Sequence, residues 1–273
     1  DITASDHHPL AEQFLLENLR LNHLLPLSYR HGQWGRLPQD SDFDGPPPAS
    51  ALALAAPLAA SEAKLAAALG AEGADIVFTA GATEAAALAC AGRGLHCAAV
   101  EHEAVAAWCD VSLPVDVLGR VAVADPARSA VQLANSETGI VQDLPEGLAV
   151  SDLTQAFGKL PLAFNWLGCQ MGLVAAHKLG GPKGVGALVL RQGLDVAPQM
   201  RGGGQEMGRR AGTENLIGIA GFAAAAEAAA RDLAEGVWER VAEIRNILDS
   251  ALSGFGFETI SVGNTVARQS SVV

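Results

Sequence analysis

Five short apolar runs in this chain each stop at a polar residue able to do chemistry, and this repetition constrains the fold more than any other feature. Residues 75–78 lead into Thr79-Ala80-Gly81-Ala82-Thr83-Glu84. Residues 97–100 end at Glu101-His102-Glu103, and residues 130–133 lead to Asn135-Ser136-Glu137-Thr138-Gly139. Residues 148–150 end at Ser151-Asp152, with Gln155 three residues on. Residues 173–176 end at His177-Lys178, followed by Gly180-Gly181-Pro182-Lys183-Gly184 and a further apolar run, 185–190. Between the runs lie Ala/Leu-rich stretches with helical spacing. Residues 49–69 form one, with Pro57 as a kink or start and Gly70 as its stop, and residues 216–252 form another, divided at Gly236. Strands alternating with helices predict an α/β fold with a mainly parallel sheet. In such a sheet ligands sit at the carboxyl ends of the strands, where Thr83, His102, Asn135, Asp152 and Lys178 all fall.

Each stretch carries a specific expectation and a plainer alternative. A strand, a small-residue turn and a helix start at 79–84 predict an anion site, because free amides and the helix dipole point outward there; a simple Thr/Gly helix cap looks the same. His102 faces a crevice ligand or is a solvated histidine between two glutamates. Asp152 is a buried carboxylate holding a proton on a ring nitrogen, or an N-cap. Lys178 at the end of a buried strand is expected to be buried, its pKa depressed and its amine freed as a Schiff-base nucleophile; the alternative is a surface lysine in a turn. Residues 115–118 and 257–262 read as further strands, residues 11–25 as a helix, and residues 36–50 as a Pro/Asp/Gly-rich loop.

Composition narrows the function classes. The net charge of -12 over 273 residues argues against nucleic acid or an anionic membrane as main partner. An anionic ligand therefore needs a local positive site. Cys90, Cys97, Cys109 and Cys169 make no CxxC pair and no zinc spacing with histidine, and His7, His8, His23 and His31 make no ligand set, so no metal is expected. The cysteines read as free thiols of a reducing compartment. No basic region followed by an apolar segment marks a signal peptide, and no apolar run is long enough to span a bilayer, so a cytoplasmic protein is expected.

The motifs at 78–84, 101–105, 135–139, 152–158, 176–186 and 202–215, in this order, resemble those of the cysteine desulfurases, within the class V aminotransferase group of fold type I pyridoxal-phosphate enzymes. The resemblance covers about residues 50–265. It implies a mainly parallel seven-stranded-type sheet flanked by helices and a reduced small domain. The implied division is an unassigned segment 1–48, a large cofactor domain 49–215, and a long helix with the start of the small domain at 216–273. The implied cofactor is pyridoxal 5'-phosphate, with Lys178 as its Schiff-base lysine. Asp152 would pair with the pyridine nitrogen and Gln155 with the ring hydroxyl. His102 would stack on the ring and shuttle protons. Ala82, Thr83 and His177 would hold the phosphate, Thr213 would reach it from the partner subunit of a homodimer, and Asn135 would lie near the ring and the substrate carboxylate.

The implied reaction converts L-cysteine to L-alanine, passing sulfur as a persulfide to an acceptor protein for iron–sulfur cluster assembly or other sulfur transfer. Departures accompany the likeness. Ala175 stands where the family has a serine, Ser136 replaces a common second asparagine, and the segments between His102, Asn135 and Asp152 are short. The family's N-terminal strand is not recognisable in residues 1–48. The family's catalytic cysteine loop and its carboxylate-binding arginine are expected past Val273, and none of the four cysteines has a matching context. The alternative is therefore a shortened, non-desulfurating relative, acting as an aminotransferase, a lyase or a partner subunit.

Overall fold

The structure is a computed structural model that describes residues 3–6, 28–31, 49–254 and 266–268. The helix expected at 11–25 and the strand at 257–262 lie outside the described residues. By backbone proximity the chain divides into residues 1–60 and 61–273. In the first unit, β1 (Thr3–Asp6) pairs in parallel with β2 (Ser28–His31), Thr3 opposite Ser28. Helix α1 (Ala49–Leu69) begins in this unit and ends in the second.

The second unit is built on a sheet. Its four-stranded part runs in the order β3 (Asp75–Thr79), β8 (Gly186–Leu190), β7 (Cys169–Ala175), β6 (Leu148–Asp152). β6 and β7 are parallel, while β8 is antiparallel to both of its neighbours. Beyond β6 the segment 129–133 runs parallel to it, Val131 N donating to Val150 O and Leu133 N to Asp152 O. The same segment bridges in parallel to β4 (His96–Ala98), which pairs with β5 (Asp110–Leu113). The result is a seven-stranded, mainly parallel arrangement, as expected.

Burial explains the apolar runs. β3, β7 and β8 are buried almost throughout, because helices and loops cover both faces. Leu173, Leu188, Leu190, Val150 and Cys97 share one core with Ala85, Ala86 and Leu88 of α2 (Ala82–Cys90). Small residues let α2 lie close on the sheet.

The expected strand at 115–118 is not formed. Asp116 Oδ1 accepts from Leu118 N at 2.8 Å and from Arg120 N at 2.9 Å, and Gly119 takes φ 77, so the run is a tight turn. The strand of this region is β5, an edge strand with exposed, partly polar residues.

The long C-terminal helical region breaks at Gly236 (φ 71) into α4 (Leu216–Ala234) and α5 (Val237–Gly254). Asn215 caps α4 by accepting from Gly218 N at 3.0 Å. α4 lies on the turn that carries Lys178: a Cβ on Gly221 would sit 2.5 Å from the Pro182 ring. Phe222 meets Phe157 edge to face, ring centroids 6.5 Å apart, which ties α4 to the loop after β6. Among the described residues no helix is long and apolar enough to cross a membrane.

Candidate functional site

The carboxyl ends of β3, β6 and β7 open on a cleft of about 830 Å³, large enough for a drug-sized ligand. Ala82, Thr83, His102, Asp152, Gln155, His177 and Lys178 all line it. Seven residues expected from separate stretches of sequence thus converge on one space.

The first wall is the turn after β3. Thr79 Oγ1 donates to Gly81 O at 2.9 Å, and Gly81 leads directly into α2. No side chain of Gly81 caps the helix, so its first-turn amides face the cleft beside Thr83. The turn can rest on the sheet because residue 186 is glycine: a Cβ there would lie 2.6 Å from Val174 O and 2.8 Å from the Gly81 backbone.

The opposite wall is the lysine turn. β7 ends at Ala175, and residues Ala176–Leu179 form a 3-10 turn closed by Gly180 at φ 88. Ala176 is buried, but His177 and Lys178 are exposed. The expectation of a buried Lys178 is therefore corrected: the strand ends at Ala175, one residue before the end of its apolar run, and Lys178 lies in the exposed turn that follows and lines the cleft. The nearly sealed lysine is Lys159, which the sequence reading missed; it is 8% exposed and donates from Nζ to Gln155 Oε1 at 2.7 Å. Burial, and then the charge of Lys178, bring Lys159 down to about 8. Partial desolvation, then the charges of Lys178, Lys183 and Lys159, hold His177 below the ordinary histidine range. This corner is the local positive site that an anionic ligand needs in an acidic protein.

The floor is acidic. Asp152 ends β6 and accepts from Thr154 N at 2.8 Å. Burial pushes its pKa up, against the Thr154 hydrogen bonds and the charges of His102 and Lys178. Asp152 forms no ion pair among the described residues, so a cationic ring N–H in the cleft would supply its missing partner. Below it, Glu101 accepts from Gln132 N at 2.7 Å through Oε1, while its buried Oε2 has no hydrogen-bond partner. Burial pushes Glu101 up to about 8. His102 opens the short helix α3 (Glu103–Ala106), its Nδ1 accepting from Ala104 N at 3.1 Å. The neutral ring therefore carries its proton on Nε2.

Two expected residues stand apart. Asn135 is buried and holds backbone: Nδ2 donates to Val100 O at 2.9 Å, and Oδ1 accepts from the amides of Glu137 and Thr138. Its neighbours Ala134 and Ser136 line the cleft instead. Thr213 lies in a separate, small cleft with Glu206, Arg210 and Asn215. Trp108, Gln132, Thr154 and Lys183 line the main cleft without having been singled out. Cys90, Cys97 and Cys169 are buried, Cys109 is half-buried, and no cysteine lines the cleft among the described residues.

Amides at a helix start, a lysine in a glycine turn, a carboxylate without a cation and a glutamine backed by a lysine fit the phosphate, aldehyde, ring nitrogen and ring oxygen of pyridoxal 5'-phosphate. Comparison with known proteins agrees. The profile of the family described as Aminotransferase class-V matches residues 124–273. A cysteine desulfurase of Frankia sp. (strain EuIK1) is 39% identical over 205 residues, 58% of this chain and 49% of that protein. A cysteine desulfurase of Cereibacter sphaeroides is 38% identical over 228 residues, 70% of this chain and 57% of that protein. The chain spans about half the length of the curated relatives it matches. Among solved structures, a NifS-like protein from Rickettsia africae ESF-5 superposes with a TM-score of 0.71 at 26% identity, covering 85% of this chain and 71% of its own. DndA from Streptomyces lividans superposes at 0.69 with 26% identity, covering 83% and 74%.

Proposed function

The chain belongs to the class-V aminotransferase family, and from that premise we propose a pyridoxal-phosphate enzyme of the cysteine desulfurase type. The observation that carries the reading is the convergence of Thr83, His102, Asp152, Gln155 and Lys178 on one cleft. Within it, residues 49–215 serve as the cofactor domain and residues 216–273 as the start of the small domain. The setting is cytoplasmic and the assembly a homodimer. Thr213 lines a neighbouring cleft and not the one that Lys178 lines, which supports its service to a partner subunit's cofactor.

When bound, the cofactor withdraws electrons from the α-carbon of an amino acid, so that bonds at and next to that carbon can break. The chain's own residues do the rest. The amides of Ala82 and Thr83, with His177, bind the phosphate. Lys178 presents its amine from the opposite wall to the cofactor's aldehyde. Asp152, raised by burial and without an ion pair among the described residues, would hold a proton on the ring nitrogen. Gln155 donates to the ring oxygen. His102, which lines the cleft and has Nδ1 taken by Ala104 N, would move a proton at Nε2. Ser136 and Glu137, beside Asn135, form the substrate's side of the cleft.

A desulfurase taking L-cysteine to L-alanine also needs a thiolate to accept the sulfur as a persulfide. Burial pushes Cys97 and Cys169 up to about 12, which keeps them as inert thiols. On this reading the accepting thiol is brought to the cleft by a segment outside its described walls, and the sulfur passes on to an acceptor protein for iron–sulfur assembly or related transfer. The absence of a cysteine among the described cleft residues favours a second reading, transamination or β-elimination in the same cleft.

The deciding experiment is an absorbance spectrum with added pyridoxal phosphate, wild type against Lys178→Ala, followed by an assay for alanine from cysteine. A visible band lost in the variant supports the cofactor and its lysine. Alanine formation then selects the desulfurase reading, and a band without alanine selects the second. No band in the wild type overturns both.

A further inference from the structure

Lys159 is a buried cation with no carboxylate partner among the described residues. Burying a charge without a counter-ion is costly, so its retention calls for a reason. Its geometry supplies one. The loop after β6 folds back in two tight turns, Phe157 N donating to Leu153 O and Lys159 N to Ala156 O, with Gly158 at φ 74 between them, and this bend brings the Lys159 side chain to that of Gln155. Lys159 Nζ meets Gln155 Oε1 at 2.7 Å, the length of a charge-assisted hydrogen bond. An ammonium donates and never accepts, so the end of the amide turned to Lys159 is the oxygen. The other end of the amide is the NH2 donor, and Gln155 lines the cleft.

We propose that Lys159 is a positioning residue for the cofactor: its ammonium fixes and polarises the Gln155 amide, so that the amide NH2 donates to an anionic ring oxygen of the ligand. This rests on the pyridoxal-phosphate reading. It explains why a buried lysine stands behind a glutamine instead of a carboxylate. The negative charge that Lys159 lacks within the protein is supplied by the ligand, one hydrogen bond away. Lys159 touches neither the ligand nor the reacting atoms and lies outside the cleft lining.

The consequence is spectroscopic. A stronger donor at the ring oxygen stabilises the unprotonated chromophore and lowers the pH at which its visible band titrates. The test is a pH titration of that band in wild type, Lys159→Met, Gln155→Leu and the double variant, each loaded with pyridoxal phosphate. Glu84, His102, Glu137, Asp152, His177, Lys178 and Lys183, the charged or titratable groups that line the cleft, are the same in all four proteins. Lys159→Met is expected to raise the midpoint by about one pH unit, the value of one charge-assisted hydrogen bond. Gln155→Leu raises it at least as far, and the double variant matches Gln155→Leu alone. An unchanged midpoint in Lys159→Met overturns the proposal, as do additive shifts in the double variant. If Lys159→Met does not fold, Gln155→Leu decides alone, because an unchanged midpoint there removes the donor from the ring oxygen. Absence of a band in wild type is a different failure and falls on the cofactor reading.

Discussion

Glu84 holds the Arg210 guanidinium with one carboxylate oxygen, at 2.9 Å, and the Ala80 amide with the other, at 2.6 Å. An acid thus sits in the first turn of α2, beside the amides that face the cleft, and its charge is cancelled by an arginine from the 202–215 loop. Both side chains are only 16% exposed, so the pair is largely shielded from solvent. Arg210→Ala strands the Glu84 charge next to the anion turn. The expected cost is about 3 kcal/mol of stability by urea denaturation, with about tenfold weaker binding of pyridoxal phosphate. Adding Glu84→Gln to Arg210→Ala is expected to recover part of both losses; no recovery would show that Glu84 is not the source.

Glu101 links stability to pH in a direction that can be worked out. Its folded pKa is raised to about 8, above the ordinary 4.5, so the folded chain holds a proton that the unfolded chain releases first. The stabilisation is full below about pH 4.5 and is lost as pH rises to about 8. Glu101→Gln keeps an acceptor for Gln132 N and removes the titration. Denaturation curves across this window should flatten in the variant, with a gain at pH 8 on the order of 3 kcal/mol. An unchanged pH slope would mean that the carboxyl is solvated.

Asp152 sets stability against binding. Burial raises its pKa, against the Thr154 hydrogen bonds and the charges of His102 and Lys178, and it forms no ion pair among the described residues. Asp152→Asn is expected to raise the thermal midpoint of the cofactor-free protein by roughly 3 °C. The same change weakens pyridoxal-phosphate binding, because an amide cannot hold the ring proton. Calorimetry with and without cofactor reads both, and a lower midpoint in the cofactor-free variant would contradict the assignment.

Gly186 is required by contact with two backbones. In Gly186→Ala the new methyl meets Val174 O and Gly81, neither of which is a flexible side-chain end. The anion turn must lift from the sheet, at an expected cost of about 2 kcal/mol. Cofactor affinity should fall as well, by about tenfold. Full affinity in a destabilised variant would place the phosphate contacts elsewhere.

Much of this arrangement was legible in the sequence. Apolar runs bounded by polar turns marked β3, β6, β7 and β8 because both faces of those strands are buried. β5 escaped because an edge strand with exposed residues carries no such run, while 115–118 copied the pattern inside a turn made by Asp116. The site was legible wherever a residue directly follows a strand. Lys159 was not, since it follows the Gly158 bend of a loop and no apolar run marks it; its only sequence signal is the four-residue spacing from Gln155. The exposure of Lys178 was also hidden, because the end of β7 falls one residue short of the end of its apolar run.

The close seat of Gly221 against Pro182 leaves the lysine turn no clearance on its helix side. The turn behaves as a thrust bearing, with the sheet on one side and the backbone of α4 on the other. A tilt of α4 cannot be absorbed by a side chain swinging away, because glycine offers none. It must pass into the 180–184 turn and so to the amine two residues before it. The aim of Lys178 is therefore set in part by where the nineteen-residue helix is seated.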